Sequence, residues 1–261
     1  MRDRLYRVQA IILKRTDVGE ADRLLTLYTP ERGKLRAVAK GARKPSSRKT
    51  GHVELFNHAS LLIAVGRDID VITQADTLDS FLPLRSDLDR VSYAYYFAEL
   101  VDRFTEEEEE NFAIFDLILR SFHWLNLTER LPGTARYFEM RLLDALGYRP
   151  QLYRCVNCGA ELQPEENYFT PEGGGMLNPK CRDSHRDAHA VTVNALKVLR
   201  FLQTREYDEV EKLRLTPQVD GEAEYLLHYY VTHWLERNLK SIEFLNTLKA
   251  TLLNPITLEP R

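Results

Sequence analysis

Between Arg32 and Lys49 the chain carries no acidic residue, and the start of this stretch alternates with a period of two. Read as a strand, Lys34 to Lys40 places Leu35, Ala37 and Ala39 on one face. Lys34, Arg36 and Lys40 fall on the other, interrupted only by Val38. Gly41 ends the strand, and Arg43, Lys44, Arg48 and Lys49 carry the positive charge onward through a loop containing Pro45, Ser46 and Ser47. A half-buried strand with a basic outer face and a flexible basic loop is what a phosphate backbone selects. A solvated edge strand guarded by lysine against aggregation has the same spacing.

The neighbouring segments supply partners for such a strand. Residues 8–14 read as a strand, residues 15–22, with Gly19, as a polar loop, and residues 24–28 as a second strand. Thr29-Pro30-Glu31-Arg32-Gly33 forms a turn leading into the basic strand. Residues 53–65 are apolar enough for a long strand, and Gly66-Arg67-Asp68 turns the chain into a fifth at residues 69–74. Five short strands in about eighty residues suit a small closed barrel, with the OB-fold, the barrel associated with single-stranded nucleic acid, as the first choice. An SH3-like barrel gives a similar pattern. Tyr6, Tyr28 and Phe56 are either stacking platforms for bases or packing residues of that barrel.

From Phe81 the period becomes helical. Ser86-Asp87 offers an N-cap for a helix through Leu88, Val91, Tyr95, Ala98 and Val101. The run Glu106 to Glu110 reads as a solvated linker whose charge favours the N-terminus of a helix over residues 112–125. Thr134 is expected to cap a third helix that ends at Gly147, with Pro150 beyond it. Thr192 opens another, and residues 223–239 form the last. His123, His228 and His233 lie in these helices as ordinary helix residues.

The 261 residues, 44% of them hydrophobic, give room for one large or two ordinary domains. Charge divides them unevenly. Residues 1–52 hold fourteen Lys/Arg against five Asp/Glu, whereas the whole chain has a net charge of −3. This predicts a basic N-terminal module on an acidic body. With no apolar stretch behind Met1–Arg7 and no run long enough to span a bilayer, a soluble cytoplasmic protein is expected. The fold class is α+β and multi-domain. A five-stranded OB-fold barrel occupies residues 1–80 and an all-α domain residues 81–261, with a small zinc-ribbon-like insert at residues 153–189.

That insert carries the three cysteines. Cys155-Val-Asn-Cys158-Gly159 has the spacing of a zinc knuckle, with Gly permitting the tight turn. The second half reads Cys181-Arg-Asp-Ser184-His185, so a fourth cysteine is missing from its expected place. Cys155, Cys158, Cys181 and His185 would make a structural Cys3His site for one Zn2+, with His189 a more distant candidate. A knuckle folded without metal and a redox-active cysteine pair are the competing readings. Neither a nucleotide-cradling Gly-x-x-x-x-Gly-Lys-Ser/Thr loop, a Gly-x-Ser-x-Gly elbow nor a His-Glu-x-x-His pair occurs.

The order of parts, a basic barrel, then helices with a Cys-x-x-Cys ribbon inserted, resembles the RecO family of bacterial DNA repair and recombination mediators. The resemblance rests on four stretches: residues 19–27 (GEADRLLTL), residues 29–34 (TPERGK), residues 37–44 (AVAKGARK) and residues 154–159 (RCVNCG). It implies a non-enzymatic, nucleoid-associated protein that binds single- and double-stranded DNA through the barrel. It further implies annealing of strands coated by single-strand-binding protein and action with RecR to load RecA. The residues that would contact phosphate are Lys34, Arg36, Lys40, Arg43, Lys44, Arg48 and Lys49. Two other functions compete with this one: an enzyme, redox or zinc-dependent, centred on Cys155 and Cys158, and an interaction scaffold whose acidic helices carry the function.

Overall fold

A computed structural model describes residues 4–235 together with 241, 244, 245 and 247. Strands β1 (Leu5–Val18), β2 (Asp22–Thr29), β3 (Gly33–Ala39), β4 (His58–Ala64) and β5 (Asp70–Asp79) close a barrel in the order β1-β2-β3-β5-β4. Closure depends on the length of β1. Its first half pairs with β4 (Leu5 opposite Ala64) and its second with β2 (Val18 opposite Asp22), with an irregularity between Ile12 and Lys14 where the partner changes. The polar residues 15–18, read from sequence as loop, are strand. β3 meets β5 in parallel at Ala37 and Val38, which completes an OB-like barrel.

The period-two reading of the basic strand holds. Leu35, Ala37 and Ala39 are buried in the barrel core with Ile12, Leu25, Leu27, Leu61 and Ile72. The expected long strand over residues 53–65 is shorter. A 3₁₀ turn occupies Thr50–Val53, and Phe56 adopts a left-handed backbone, φ 68°, before β4 begins. That conformation is unfavourable for a residue with a side chain. It is compensated by packing, since the Phe56 ring lies edge-on to Tyr95 and Phe122 at 4.9 and 5.5 Å between centroids.

Helices α1 (Leu82–Ser86), α2 (Leu88–Phe104) and α3 (Phe112–Leu127) pack on the outside of the barrel and belong to the same compact unit, which reaches Leu127. Asp87 caps α2, its side chain accepting from the Arg90 N–H at 2.9 Å. Tyr28 and Phe56 are buried at 0% and 1% exposure, so neither ring is open to a base. Tyr6 is half-buried, its hydroxyl held by Asp70 at 2.5 Å and its ring covered by Arg32.

The acidic run is attached rather than a free linker. The Glu108 N–H donates to the Lys34 carbonyl at 2.9 Å, Glu107 bridges Lys34 in parallel, and the Arg36 Nε lies 2.8 Å from the Glu107 carboxylate. The segment therefore covers the part of the β3 edge that β5 does not reach. Gly33 makes this approach possible: its φ is +59°, and a Cβ there would sit 1.8 Å from the Glu109 carbonyl oxygen. Gly33→Ala is expected to destabilise the unit by at least about 1–2 kcal/mol from the left-handed backbone alone. Urea unfolding will show the loss, and faster hydrogen exchange at the Glu108 amide will show where it originates. Unchanged exchange there would mean the strap does not need Gly33.

A second compact unit begins at Thr128. It contains α4 (Leu131–Ala145), β6 (Asn167–Thr170), β7 (Gly175–Leu177), β8 (His189–Val191), α5 (Val193–Thr204), α6 (Tyr207–Lys212) and α7 (Pro217–Leu235). Thr192 caps α5 as expected. Thr134 is not a cap: α4 starts at Leu131, with Pro132 in its first turn, and the Thr134 hydroxyl bonds the Arg130 carbonyl and Tyr207. The last helix begins six residues earlier than expected, at Pro217, and residues 236–239 of its expected span lie outside the described residues.

His228 on α7 is less ordinary than its helical position implied. Its Nδ1 is buried and has no hydrogen-bond partner among the described residues. Burial holds its pKa below the usual histidine range and Arg136 adds to this, while Glu139 and Glu224 act in the opposite direction. An unfolded histidine takes up its proton below about pH 6.5 and the buried one resists, so stability falls as pH drops through that value. Urea midpoints measured at pH 7.5 and 5.5 should separate less in His228→Gln than in the unaltered chain. An equal separation would show that His228 does not contribute.

Candidate functional site

The seven basic residues singled out in the sequence do not form one uniform face. Lys34 is buried at 9% exposure. Its Nζ donates to the Asp102 carbonyl at 2.5 Å and lies 3.5 Å from the Asp102 carboxylate, which fastens β3 to α2. Lys49 is half-buried, and its Nζ donates to the Ile72 carbonyl at 3.0 Å; burial lowers its pKa. Arg36 is engaged by Glu107. Arg43 is exposed but held at the rim, donating to the Gly19 carbonyl at 3.2 Å and lying 3.3 Å from Asp17. Lys40, Lys44 and Arg48 are exposed and have no side-chain hydrogen bond or ion pair among the described residues.

These three project from a loop that is pinned, not flexible. Gly41, at φ +67°, donates its N–H to Asp22 at 2.7 Å. The Arg43 N–H reaches the Ala21 carbonyl at 2.9 Å and the Ser47 N–H the Lys44 carbonyl at 2.9 Å. Thr50 closes the loop by donating to the Ala42 carbonyl at 2.6 Å, and Ala42 itself is fully buried. A cationic loop already held in shape loses less conformational freedom on binding than a disordered one.

Two features lie beyond the sequence reading. Arg15 and Arg23, on β1 and β2, share the Glu54 carboxylate, and Arg85 lies 3.6 Å from it. Arg23 also lies 3.4 Å from Asp17, so three guanidiniums here meet two carboxylates. Arg67 is exposed on the β4–β5 loop, a loop that OB-folds use for oligonucleotides. Its only sequence signal is a single arginine in a Gly-Arg-Asp turn.

The second cluster is the thiolate group. Sγ atoms of Cys155, Cys158 and Cys181 all lie within 4.8 Å of one another. The Cys155–Gly159 turn brings the first two together, with the Gly159 N–H bonding the Cys155 carbonyl at 2.8 Å and Gly159 at φ +73°. A 3₁₀ turn at Pro179–Ser184, capped by Asn178, presents Cys181. The turns flank a three-stranded sheet of order β7-β6-β8. Burial alone would raise the Cys155 thiol, but the backbone N–H groups of Asn178, Cys158 and Asn157 and the Cys158 thiol bring it down to about 7. Cys181 is lowered by the Asn157 side chain, yet burial and its two neighbouring thiols leave it above the usual range. Three soft donors at this spacing fit a tetrahedral Zn2+.

His185 is not brought to the thiolates. Its Nδ1 lies 3.7 Å from the Glu172 carboxylate, and it groups with Glu172 and Asp187. His189 stacks edge-on against Tyr225 and Tyr229.

Comparison with known proteins gives the family. Residues 1–81 match the family model for the recombination protein O N terminus, and residues 85–243 that for its C terminus. A DNA repair protein RecO from Roseiflexus sp. (strain RS-1) is 48% identical over 252 residues, covering 97% of this chain and 89% of the relative. The chain belongs to the RecO family. Proteins of the same name from Dehalococcoides mccartyi (strain ATCC BAA-2266 / KCTC 15142 / 195) and Symbiobacterium thermophilum are 37% and 36% identical, covering 95% and 94% of this chain and 98% of each relative. Both RecO models meet between residues 81 and 85, where the barrel ends and α1 begins. No helix among the described residues is long and apolar enough to cross a membrane.

Proposed function

We propose that this RecO-family chain is a non-enzymatic DNA repair and recombination mediator of the bacterial cytoplasm and nucleoid. It binds single- and double-stranded DNA, anneals complementary strands coated by single-strand-binding protein, and acts with RecR to load RecA. The observation that carries the DNA-binding part is the trio Lys40, Lys44 and Arg48, exposed and without side-chain partners among the described residues, on a pinned loop of an OB-like barrel. Arg36 and Arg43 join them on exchanging Glu107 and Asp17 for phosphate, and Arg67 extends the face. Lys34 ties β3 to α2, and Lys49 holds the end of the loop to the Ile72 carbonyl.

Cations that contact phosphate and not base edges bind without regard to sequence. Holding two strands against one cationic face reduces their repulsion while leaving the bases free to pair. The partners come with the family, and the assay that tests the reading uses them. Complementary oligonucleotides coated with single-strand-binding protein should anneal faster with this chain than without it. No stimulation would overturn the annealing role, whatever the DNA affinity.

Cys155, Cys158 and Cys181 would hold one structural Zn2+. When bound, the ion supplies a cross-link between the knuckle and the 3₁₀ turn that this small sheet cannot gain from its own core.

A further inference from the structure

We propose that the thiolate cluster is an open metal site: with Zn2+ on Cys155, Cys158 and Cys181, the fourth position is left to an exogenous donor, water at rest and a thiolate when one is offered. This rests on the Zn2+ reading above and goes beyond it, because a structural zinc site is ordinarily closed by four protein ligands.

The polar side chains near the thiolates are engaged or turned away, and that of Asn157 hydrogen-bonds Cys181. Ser184 turns its Oγ back to the Cys181 carbonyl at 2.6 Å. Asn178 is used twice, its Oδ1 accepting from the Cys181 N–H at 3.0 Å and its Nδ2 donating to the Cys158 Sγ at 3.3 Å. His185 faces Glu172 on one side. Its other nitrogen, Nε2, lies over Gly173, 3.2 Å from where a Cβ would stand. Asp187 accepts from Thr170 at 2.7 Å and from the Glu172 N–H at 2.8 Å, so it is held away as well. His189 is packed edge-on against the stacked rings of Tyr225 and Tyr229.

The open side faces water. Cys155 is buried, whereas Cys158 is exposed and Cys181 partly so. Three thiolates on one Zn2+ leave a single negative charge, which would ordinarily oppose an incoming anion. Arg154 and Lys180, next in sequence to Cys155 and Cys181, are exposed, whereas Arg182 is held by Asp183 at 3.3 Å and lies over the Tyr168 ring. A soft ion with three sulfur ligands favours a fourth sulfur donor over a carboxylate.

The test uses the full chain loaded with Co2+, which reports its ligands by absorption. One ion per chain is expected, with a spectrum of three Co–S bonds. Added 2-mercaptoethanol should raise the sulfur-to-cobalt charge-transfer band saturably, at constant metal content, as a fourth Co–S bond forms. His185→Ala and Ser184→Ala should show the same stoichiometry and the same response. A spectrum indifferent to added thiol, or one that changes on His185→Ala alone, would overturn the open site and leave the Zn2+ reading intact. Failure of the unaltered chain to bind Co2+ or Zn2+ at all would overturn both.

Discussion

Replacing Lys40, Lys44 and Arg48 together by glutamate is expected to lower affinity for duplex DNA by on the order of 10²- to 10³-fold at about 0.1 M salt. The same variant should reduce the slope of log affinity against log salt by about 2.7, or by about 2 on single strands, because each phosphate contact contributes roughly 0.9 or 0.7. Fluorescence anisotropy of a labelled oligonucleotide across a salt series measures both. The effect is large because these three cations have no partner among the described residues to return to when DNA leaves. Lys34→Ala is the informative contrast. It removes the fastening to Asp102, so it should lower the unfolding midpoint while leaving the salt slope unchanged. Should the triple variant keep the full slope, the phosphate face lies elsewhere on the barrel, with Arg67 and the Arg15–Arg23–Arg85 group the next to test.

Glu139→Ala is expected to cost about 3–5 kcal/mol of stability in the unit that begins at Thr128, enough to unfold it under ordinary conditions. Glu139 is fully buried and Arg136 is 5% exposed, and the pair is bidentate at 2.6 and 2.7 Å within one turn of α4. Removing the carboxylate takes the bidentate partner from a buried guanidinium, and Glu224, 3.3 Å away, is one-third exposed. Replacing both members, Arg136→Met with Glu139→Leu, should recover most of the loss, since no buried charge is then stranded. Calorimetry of the three proteins decides this, and a double variant as unstable as Glu139→Ala would mean the pair contributes more than mutual neutralisation.

The sequence pattern carried much of the barrel. Alternation over Lys34–Lys40 gave the inward set Leu35, Ala37 and Ala39, because a strand's side-chain period is fixed at two by the backbone. The same alternation placed Lys34 outside, and this is where pattern and structure part. Outside the barrel is not outside the molecule when α2 packs on that face, and Lys34 meets Asp102, 68 residues away. Tyr28, opposite Lys34 on β2, is fully buried as well. The acidic run differs in another way. A row of five glutamates has no period, so nothing in it signals that its backbone would pair with β3.

For the thiolates, the Cys-x-x-Cys spacing was local enough to be read directly, since one tight turn brings the first two sulfurs together. Whether residue 184 or 185 joins them depends on how the 3₁₀ turn exits and on Glu172 capturing His185. That choice is made by a neighbour in space.

The sequence by itself thus determined the strand faces, the knuckle turn and the family, because each is written in residues close together along the chain. Only the tertiary structure decided which cations are free, because a lysine's availability depends on whether a distant carbonyl or carboxylate reaches it first. Lys34 and Lys40 are six residues apart on one basic stretch, yet the first ties the barrel to a helix and the second stands open to a phosphate.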